Sequence, residues 1–421
     1  MTEGRISHKG IERFFNYPFL HTIVQRRSRR FGLGFEITDE PLKYKSDQKP
    51  VPLSSVETAL LCFAGAGSTG LALGDINTAH GGNTMMHWSS RAFPSPCNNH
   101  QTRLLFTNDE GIFLYKPREA EKIVEIESLE DLEKRILHFP DEVIKITGDR
   151  LSIPDGPPAM QLLNQGSVNR PGQTVFMPVV QPAYELINVI LLNFQYGRYN
   201  YIDDATGQSA GIVKWVSKLK LEIKVPLSLF ERNLLNVCSL EAGFISQNIL
   251  LAAQAMGLGA FPPTGFNPLI VMGGTPVTRG LGFRYTTDKK GFPNPVGIDG
   301  FIEAYCPPYK SLDEAVDEIV RCKFGSGGIF SPDAKPTPFR DQAALAKGVD
   351  RIPEEVIQCT KDFCNYVYNQ YGRFPGTVDS TVIPIWVAVH HLDLDFYNTF
   401  YPREAITENQ REHMADWHSG E

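Results

Sequence analysis

The chain has 421 residues, which at about 150 residues per domain allows two or three domains, and 42% of its residues are hydrophobic. Its net charge of −7 argues against broad nucleic-acid binding, which requires a basic surface. The seven cysteines form no CxxC pair, which argues against a disulfide framework and predicts a reducing cytoplasm. No signal peptide is apparent, and the longest apolar run, near residues 249–261, is too short to cross a bilayer.

The first part of the chain alternates between helical patterns and strands. Apolar spacing predicts helices over residues 5–30, 54–63 and 128–138, and strands over 102–107 and 111–115. The second helix begins with Ser54 and Glu57, three residues apart, which is the pattern of a capping box. Residues 153–182 are rich in proline and glycine, and we expect a long loop there.

The second part centres on one apolar helix. Residues 228–236 lead into a helix at 240–256, which Gly257 ends. The further expectations are a buried helix or a strand pair over 181–194, strands and loops over 275–308, helices over 311–322 and 354–370, and a linker over 324–342. Together these elements predict an α+β protein.

A basic run is the first motif of interest. Arg26, Arg27, Ser28 and Arg30 place guanidinium forks around a hydroxyl, a combination that suits a phosphate. The alternative is a solvated helix end, where cations are favoured by the helix dipole.

Two further stretches carry hydrogen-bonding groups. Residues 91–101 combine two prolines with short polar side chains, which suits a rigid loop that contacts the edge of a heterocycle, although a surface turn is an equal alternative. Residues 241–261 form an apolar helix with a polar front, and taken alone this is a core helix.

In this order the three motifs resemble those of the nitroreductase superfamily of FMN-dependent oxidoreductases. The third motif carries most of the likeness, through Glu241, Gly243, Gln247, Asn248, Leu251, Ala252, Ala253, Gly257, Leu258 and Gly259. Residues 91–117 also resemble the branch that oxidises azoline rings in peptides. The resemblance covers about 20–125 and 230–305, and it does not extend to 126–229 or to the chain after 310.

The resemblance implies a three-layer α+β fold, with a mixed or antiparallel sheet between helices, in a homodimer whose FMN sites lie at the interface. It implies an FMN-binding domain at 1–310, with an insertion at 126–229, and a C-terminal extension at 311–421 that packs on the core. Hydride would pass through flavin N5 without a protein nucleophile, to or from a small organic substrate, with a nicotinamide as a candidate donor.

The resemblance also implies the residues that contact the cofactor. Backbone N–H groups near Glu241 would meet the ring, and the basic run would hold the phosphate and the pyrimidine edge of the ring. The implied contacts are Arg26, Arg27, Ser28, Arg30, Pro94, Ser95, Asn98 (with Asn99 as an alternative), Glu241, Ala242 and Gly243. A further basic residue usually completes the phosphate site, and Arg279, Arg284 and Lys289 are equal candidates.

The tail concentrates histidines and carboxylates. We expect His390, His391 and Tyr397 to line a substrate pocket or lid. If this segment is helical, His391 and Asp395 share a face. His390, His391, Asp393 and Asp395 are the alternative as metal ligands, but they match no known ligand spacing, so we predict no metal. The alternative functions are an azoline or peptide dehydrogenase, a non-catalytic flavin-binding protein and a metal enzyme built on this cluster.

Overall fold

A six-stranded antiparallel sheet forms the centre of the fold. The structure is a computed structural model, and it describes residues 8–75, 81–276, 278–304 and 311–419. The strands are β1 (Glu36–Ile37), β2 (Tyr44–Lys45), β3 (Ser68–Leu71), β4 (Ser89–Arg91), β5 (Arg103–Asn108), β6 (Gly111–Tyr115), β7 (Val143–Thr147), β8 (Thr174–Val179), β9 (Tyr199–Ile202), β10 (Ile223–Pro226), β11 (Gly259–Phe261), β12 (Arg284–Thr287), β13 (Pro293–Ile298), β14 (Ile302–Glu303) and β15 (Val387–His390).

Helices occur in both halves of the chain. They are α1 (His8–Phe15), α2 (Phe19–Gln25), α3 (Ser55–Ala66), α4 (Leu129–Leu137), α5 (Ala183–Leu192), α6 (Val213–Val216), α7 (Leu227–Met256), α8 (Pro268–Met272), α9 (Leu312–Phe324), α10 (Gln342–Gly348), α11 (Glu354–Tyr371), α12 (Leu394–Phe400), α13 (Glu408–Arg411) and α14 (His413–Trp417). Helices combined with antiparallel sheets confirm the α+β class.

The central sheet has the strand order β11-β15-β8-β5-β6-β7. Successive side chains of a strand point to opposite faces, so the sheet divides the apolar core. Phe106 and Phe176 pack with residues of α3 and α7 on one face. Leu105 and Val175 pack with Trp386 on the other face. The sheet is therefore buried on both sides, with α7 against one of them.

Several local predictions are confirmed. Ser54 and Glu57 form the capping box of α3, with Glu57 N 3.2 Å from Ser54 Oγ and Ser54 N 2.6 Å from Glu57 Oε2. The helices expected over 128–138, 311–322 and 354–370 are α4, α9 and α11, and the strands expected over 102–107 and 111–115 are β5 and β6. Gly257 ends α7 with a φ of 89°, a left-handed conformation that favours glycine.

The prediction of a single helix over residues 5–30 is wrong for residues 8–30, the part of this range that the structure describes. Two helices, α1 and α2, are separated at Tyr17 and Pro18, because proline cannot continue a helix from inside. The basic run follows the end of α2 in non-helical backbone, while residues 5–7 lie outside the described chain.

The long loop expected over 153–182 contains the interior strand β8, whose six residues are all buried. Its apolar run is short and has no alternation, so the prolines and glycines around it masked the signal. The open choice over 181–194 is settled in favour of a helix, α5. The segment 126–229 thus supplies β7 and β8 of the central sheet as well as helices α4, α5 and α6.

Strand β15 changes the expected division of the chain. It lies between β11 and β8 inside the central sheet, with Val389 opposite Thr174 and Ala260. A boundary at residue 310 would therefore split one sheet, so the chain after 310 is part of the core as well as a covering on it.

Helix α7 is 30 residues long and begins 13 residues before the expected start at 240. Leu227, Leu234, Cys238, Ala242 and Ile245 are buried at helical spacing, so the apolar face extends to the N-terminal end and is interrupted by the buried Glu231 between Leu227 and Leu234. By length and composition this helix could cross a membrane, with a mean hydropathy of 1.3 over its best window, but core helices pass the same test. That the protein does not use a membrane stays a prediction.

Candidate functional site

The basic run lies along a cavity of about 1090 Å³. Arg27, Ser28, Arg29 and Arg30 all line it, whereas Arg26 does not. Binding pockets for small molecules typically measure about 300–1,000 Å³, so this cavity can hold a cofactor-sized ligand. We refer to it as the arginine cavity.

The arginines of this cavity differ in what they contact. Arg29 is buried, and its guanidinium donates to Ala405 O at 2.7 and 2.9 Å and to Gln254 Oε1 at 3.0 Å. Burial lowers its pKa to about 10. Arg30 is half-buried over the ring of Phe261, 4.4 Å from its centroid, and donates to Asn164. Arg29 therefore holds backbone in place, while Arg30 keeps further donors for a ligand.

Arg27 and Ser28 form the exposed edge of the cavity. Arg27 Nη1 donates to the carbonyls of Val24 and Arg26 at 2.8 and 2.9 Å. These bonds orient the guanidinium while leaving several of its five N–H groups for other acceptors. Together with Arg30, this edge offers the fork-and-hydroxyl set that suits a phosphate.

Aromatic side chains form another wall of the cavity. Phe35, Phe396, Tyr397 and Tyr401 line it, and Tyr397 OH accepts from the backbone N–H of Phe31 at 3.2 Å. Burial raises the pKa of Tyr397, so its hydroxyl stays protonated. The predicted pocket residue Tyr397 thus lies in the same cavity as the basic run.

Carboxylates line the cavity as well: Glu36, Asp39, Asp155 and Glu404. Asp155 forms an exposed ion pair with Arg170, at 3.0 Å between Oδ2 and Nη1. The positive charge is therefore local to the edge formed by Arg27, Ser28 and Arg30.

The second and third motifs meet at the middle of α7. The buried carboxylate of Glu241 accepts from Ser95 Oγ, and from Thr102 N and Oγ1 at 2.9 and 2.6 Å. Burial raises the pKa of Glu241. Asn248 Nδ2 donates to Ala92 O at 2.7 Å. These polar groups satisfy one another across the junction between the loop and the helix.

The expectation that backbone N–H groups near Glu241 are free to meet a ring is wrong within this chain. Glu241, Ala242 and Gly243 lie in mid-helix, where each N–H donates to the carbonyl four residues earlier. Gly243 is exposed, and a Cβ added to it would meet nothing within 4 Å.

The loop of the second motif has an unusual backbone. Cys97, Asn98 and His100 have positive φ values of 53°, 51° and 47°. Such conformations are uncommon outside glycine and often mark functional positions. Asn98 Nδ2 donates to His87 O at 2.6 Å and to Ser89 O at 3.1 Å, which keeps this side chain occupied, and Pro94 is exposed.

A second cavity of about 300 Å³ lies beside this loop, lined by Arg91, Asn99, His100 and Gln101 of the second motif. Glu185 is buried behind it and accepts from Asn99 Nδ2 at 2.7 Å. Burial raises the pKa of Glu185 to about 7. This carboxylate was not predicted from the sequence, because an isolated glutamate in an apolar helix belongs to no motif.

The basic run is separated from the other two motifs. Arg29 contacts α7 at Gln254, whereas Ser95 and Thr102 contact it at Glu241, 13 residues away along the same helix. At 1.5 Å per residue this corresponds to about 20 Å. One flavin ring therefore cannot contact both places within a single chain.

None of the three candidates for the additional phosphate contact lines the arginine cavity. Arg284 is paired with Asp299 and Glu303, and Lys289 Nζ donates to Asn369 O.

The predicted tail residues do not form one group. His391 lies between β15 and α12, so it shares no helical face with the exposed Asp395. His390 is buried against Phe35, and its Nδ1 lies 3.2 Å from Gln173 Nε2. Asp393 caps α12 by accepting from Phe396 N at 3.0 Å. Neither His390 nor His391 lines the arginine cavity.

Neither a protein-family model nor a curated protein matches the chain. Among solved structures, it is similar to a protein of Ralstonia eutropha JMP134 described as "a putative nitroreductase". The sequence identity is 15%, the match covers 61% of this chain and 74% of that one, and the TM-score is 0.24. At this level the likeness identifies no family, and the function has to be argued from the residues of this chain.

Proposed function

We propose that the chain binds FMN in the arginine cavity and is a flavin-dependent oxidoreductase acting on a small organic substrate. The observation that carries the proposal is the cavity of about 1090 Å³, which is lined both by Arg27, Ser28 and Arg30 and by aromatic side chains. This combination suits a ligand with a phosphate at one end and a planar ring at the other.

Each part of the cavity has a defined task in this proposal. Arg27, Ser28 and Arg30 hold the phosphate, while Arg29 fixes the wall through Ala405. The aromatic side chains of Phe35 and Tyr397 keep water from the ring. When bound, FMN supplies hydride transfer through its N5 atom, so no protein nucleophile is required.

An exposed apolar stripe on α7 suits a contact with a second copy of the chain. Val237, Leu240 and Phe244 are exposed along one face of α7, and Leu240 is 56% exposed. Spacings of three and four residues make this an apolar stripe, with Gly243 beside it to permit close approach. We propose that this α7 stripe is a homodimer contact.

The binding proposal is tested by comparing FMN with riboflavin, which lacks the phosphate. Wild-type protein should bind FMN more tightly, and Arg27→Ala/Arg30→Ala should weaken FMN roughly 10- to 100-fold while leaving riboflavin unchanged. Arg340→Ala, at an exposed arginine outside the cavity, is the matched control. Equal affinity for the two flavins in wild-type protein would contradict the phosphate assignment.

A second arm concerns Arg26, which belongs to the predicted contacts but does not line the cavity. Arg26→Ala should reduce FMN affinity less than Arg27→Ala does. An equal loss would place the phosphate outside the arginine cavity.

Turnover is tested separately from binding. Anaerobic addition of NADH or NADPH to the FMN-loaded protein should bleach the flavin absorbance, and a nitroaromatic or quinone acceptor should restore it. Tight FMN binding without reduction by either nicotinamide would instead identify a flavin-binding protein without this activity. A cytoplasmic location fits a nicotinamide donor and is part of the same proposal.

A further inference from the structure

Three histidines and a glutamate from distant parts of the chain meet away from the arginine cavity. Glu57, His391, His413 and His418 each offer a ligand atom, and these atoms all lie within 4.8 Å of one another. Glu57, His391 and His413 are buried, and His418 is half-buried. We call this group the His–Glu cluster.

The tautomer of His413 is set by its surroundings. Its Nδ1 lies 2.8 Å from the carbonyl oxygen of Met256, which can only accept a hydrogen bond. Nδ1 therefore carries the proton, and in the neutral ring Nε2 presents a lone pair. That lone pair lies 2.9 Å from Glu57 Oε1 and 3.1 Å from His391 Nδ1.

The same reasoning applies to His391. Its Nε2 lies 3.3 Å from the carbonyl oxygen of Pro52, another group that only accepts. The proton then resides on Nε2, and Nδ1 turns a lone pair toward Nε2 of His413. Two lone pairs and a carboxylate oxygen thus face the same space, an arrangement that repels itself unless a cation or an added proton lies between them.

Glu57 is held in a matching orientation. Its Oε2 accepts from Ser54 N in the capping box, at 2.6 Å, which directs Oε1 toward the histidines. Oε1 lies 3.4 Å from His418 Nε2. The carboxylate therefore offers one oxygen to the cluster while a backbone N–H satisfies the other.

Three of the six separations between the ligand atoms are close to those of a tetrahedral metal site, and all six are at most 4.8 Å. Metal–ligand bonds of about 2.0–2.1 Å place neighbouring ligand atoms roughly 3.3 Å apart around a tetrahedron. The separations between ligand atoms here include 2.9, 3.1 and 3.4 Å. Metal-bound histidines usually donate their other ring N–H to a carbonyl or carboxylate, as His391 and His413 do here.

We propose that the His–Glu cluster binds one zinc ion in a closed site with three nitrogen ligands and one oxygen ligand. Four protein ligands leave no open position, which is typical of structural zinc. The ion would tie α14 and the segment after β15 to the first turn of α3. This site is independent of flavin binding. It departs from the prediction of no metal, and of the alternative ligands His390, His391, Asp393 and Asp395 it includes only His391.

The direct test is metal content. Full-length protein expressed with trace metals and purified without chelator or histidine tag should carry close to one zinc per chain by mass spectrometry. His418→Ala and His413→Ala should lose it, and the matched control His138→Ala, at an exposed histidine outside the cluster, should keep it.

A second measurement does not depend on the variants folding. Metal-free wild-type protein titrated with Co²⁺ should develop the visible bands of tetrahedral cobalt, and Zn²⁺ should displace them. Addition of Zn²⁺ should also raise the Tm of metal-free wild-type protein. Wild-type protein that carries no metal and responds to neither ion would overturn the proposal and leave a proton-sharing histidine network.

Discussion

Two regions of α7 contact the motifs identified in the sequence. They differ in whether the polar groups there are available to a ligand or are hydrogen-bonded within the protein. Near Gln254, the basic run borders a cavity and leaves donors on Arg27 and Arg30 for a ligand. Near Glu241, the carboxylate is buried and its acceptors are occupied by Ser95 and Thr102. The first region has donors left over for the proposed ligand, whereas the polar groups of the second hold a loop against a helix.

The comparison separates two reasons for a polar residue to occur in a motif. A group that is buried and saturated contributes to stability, because removing its partner leaves an unpaired donor. A group that borders a cavity contributes little to stability and is available for recognition. Variants near Glu241 should therefore lose stability, whereas variants at the edge of the arginine cavity should lose affinity for FMN.

The largest expected effect on stability is that of Glu241→Ala. It leaves donors of Ser95 and Thr102 without their buried acceptor and should lower the free energy of unfolding by roughly 4 kcal/mol. Urea denaturation without flavin measures it. Gln247→Ala, exposed on the same helix, is the control and should change stability by less than about 0.5 kcal/mol. If the two variants are alike, the carboxylate is not a structural junction.

The next effect depends on pH and concerns Glu185. Burial raises its pKa to about 7, so between its ordinary value and pH 7 the folded state binds more protons than the unfolded state. Stability should therefore fall as pH rises through this window, by about 3 kcal/mol in total. Glu185→Gln lacks this component, so the variant should gain on wild-type protein as pH rises from 4 to 8, about 3 kcal/mol across the window. A constant stability difference would show that Glu185 titrates normally.

A substitution in the α7 stripe should change the affinity of the proposed dimer rather than the stability of the folded chain. Leu240→Asp places a charge on an exposed apolar face and should weaken the proposed dimer by about 2 kcal/mol, roughly 30-fold in Kd. Sedimentation velocity across a dilution series measures it, with Ile223→Asp as an exposed control away from the stripe. Wild-type protein that is monomeric at all concentrations would refute the homodimer.

The smallest stability effect is expected at the cavity edge. Arg27→Ala removes an exposed side chain bonded only to nearby carbonyls and should change the free energy of unfolding by less than about 0.5 kcal/mol. The same variant should lose FMN affinity, as described above. A large loss of stability would show that Arg27 has a structural role like that of Arg29.

Predictions from the sequence were most accurate where they depend on residues that are close together in the chain. The capping box of α3 and the end of α7 at Gly257 depend on residues a few positions apart, and both are confirmed. Strand β8 was missed because its neighbours in the sheet, β5 and β15, lie far away in the chain, and only they make its apolar run a strand.

Prediction of the candidate site from the sequence was limited in the same way. The basic run and Tyr397 were identified by residue type, and the structure brings them to one cavity. The His–Glu cluster was not predicted, because Glu57 lies more than 300 positions from His391 and no short motif joins them. The resemblance implied that Ser95 and Glu241 both contact the flavin, and their hydrogen bond to each other was not predicted.

The most direct test of the central claim is a crystal structure of the protein loaded with FMN. The account predicts the phosphate in the arginine cavity, within about 3 Å of Arg27, Ser28 or Arg30, with the flavin ring toward the aromatic wall. A flavin bound elsewhere, or a protein that takes up no FMN at saturating concentration, would contradict it.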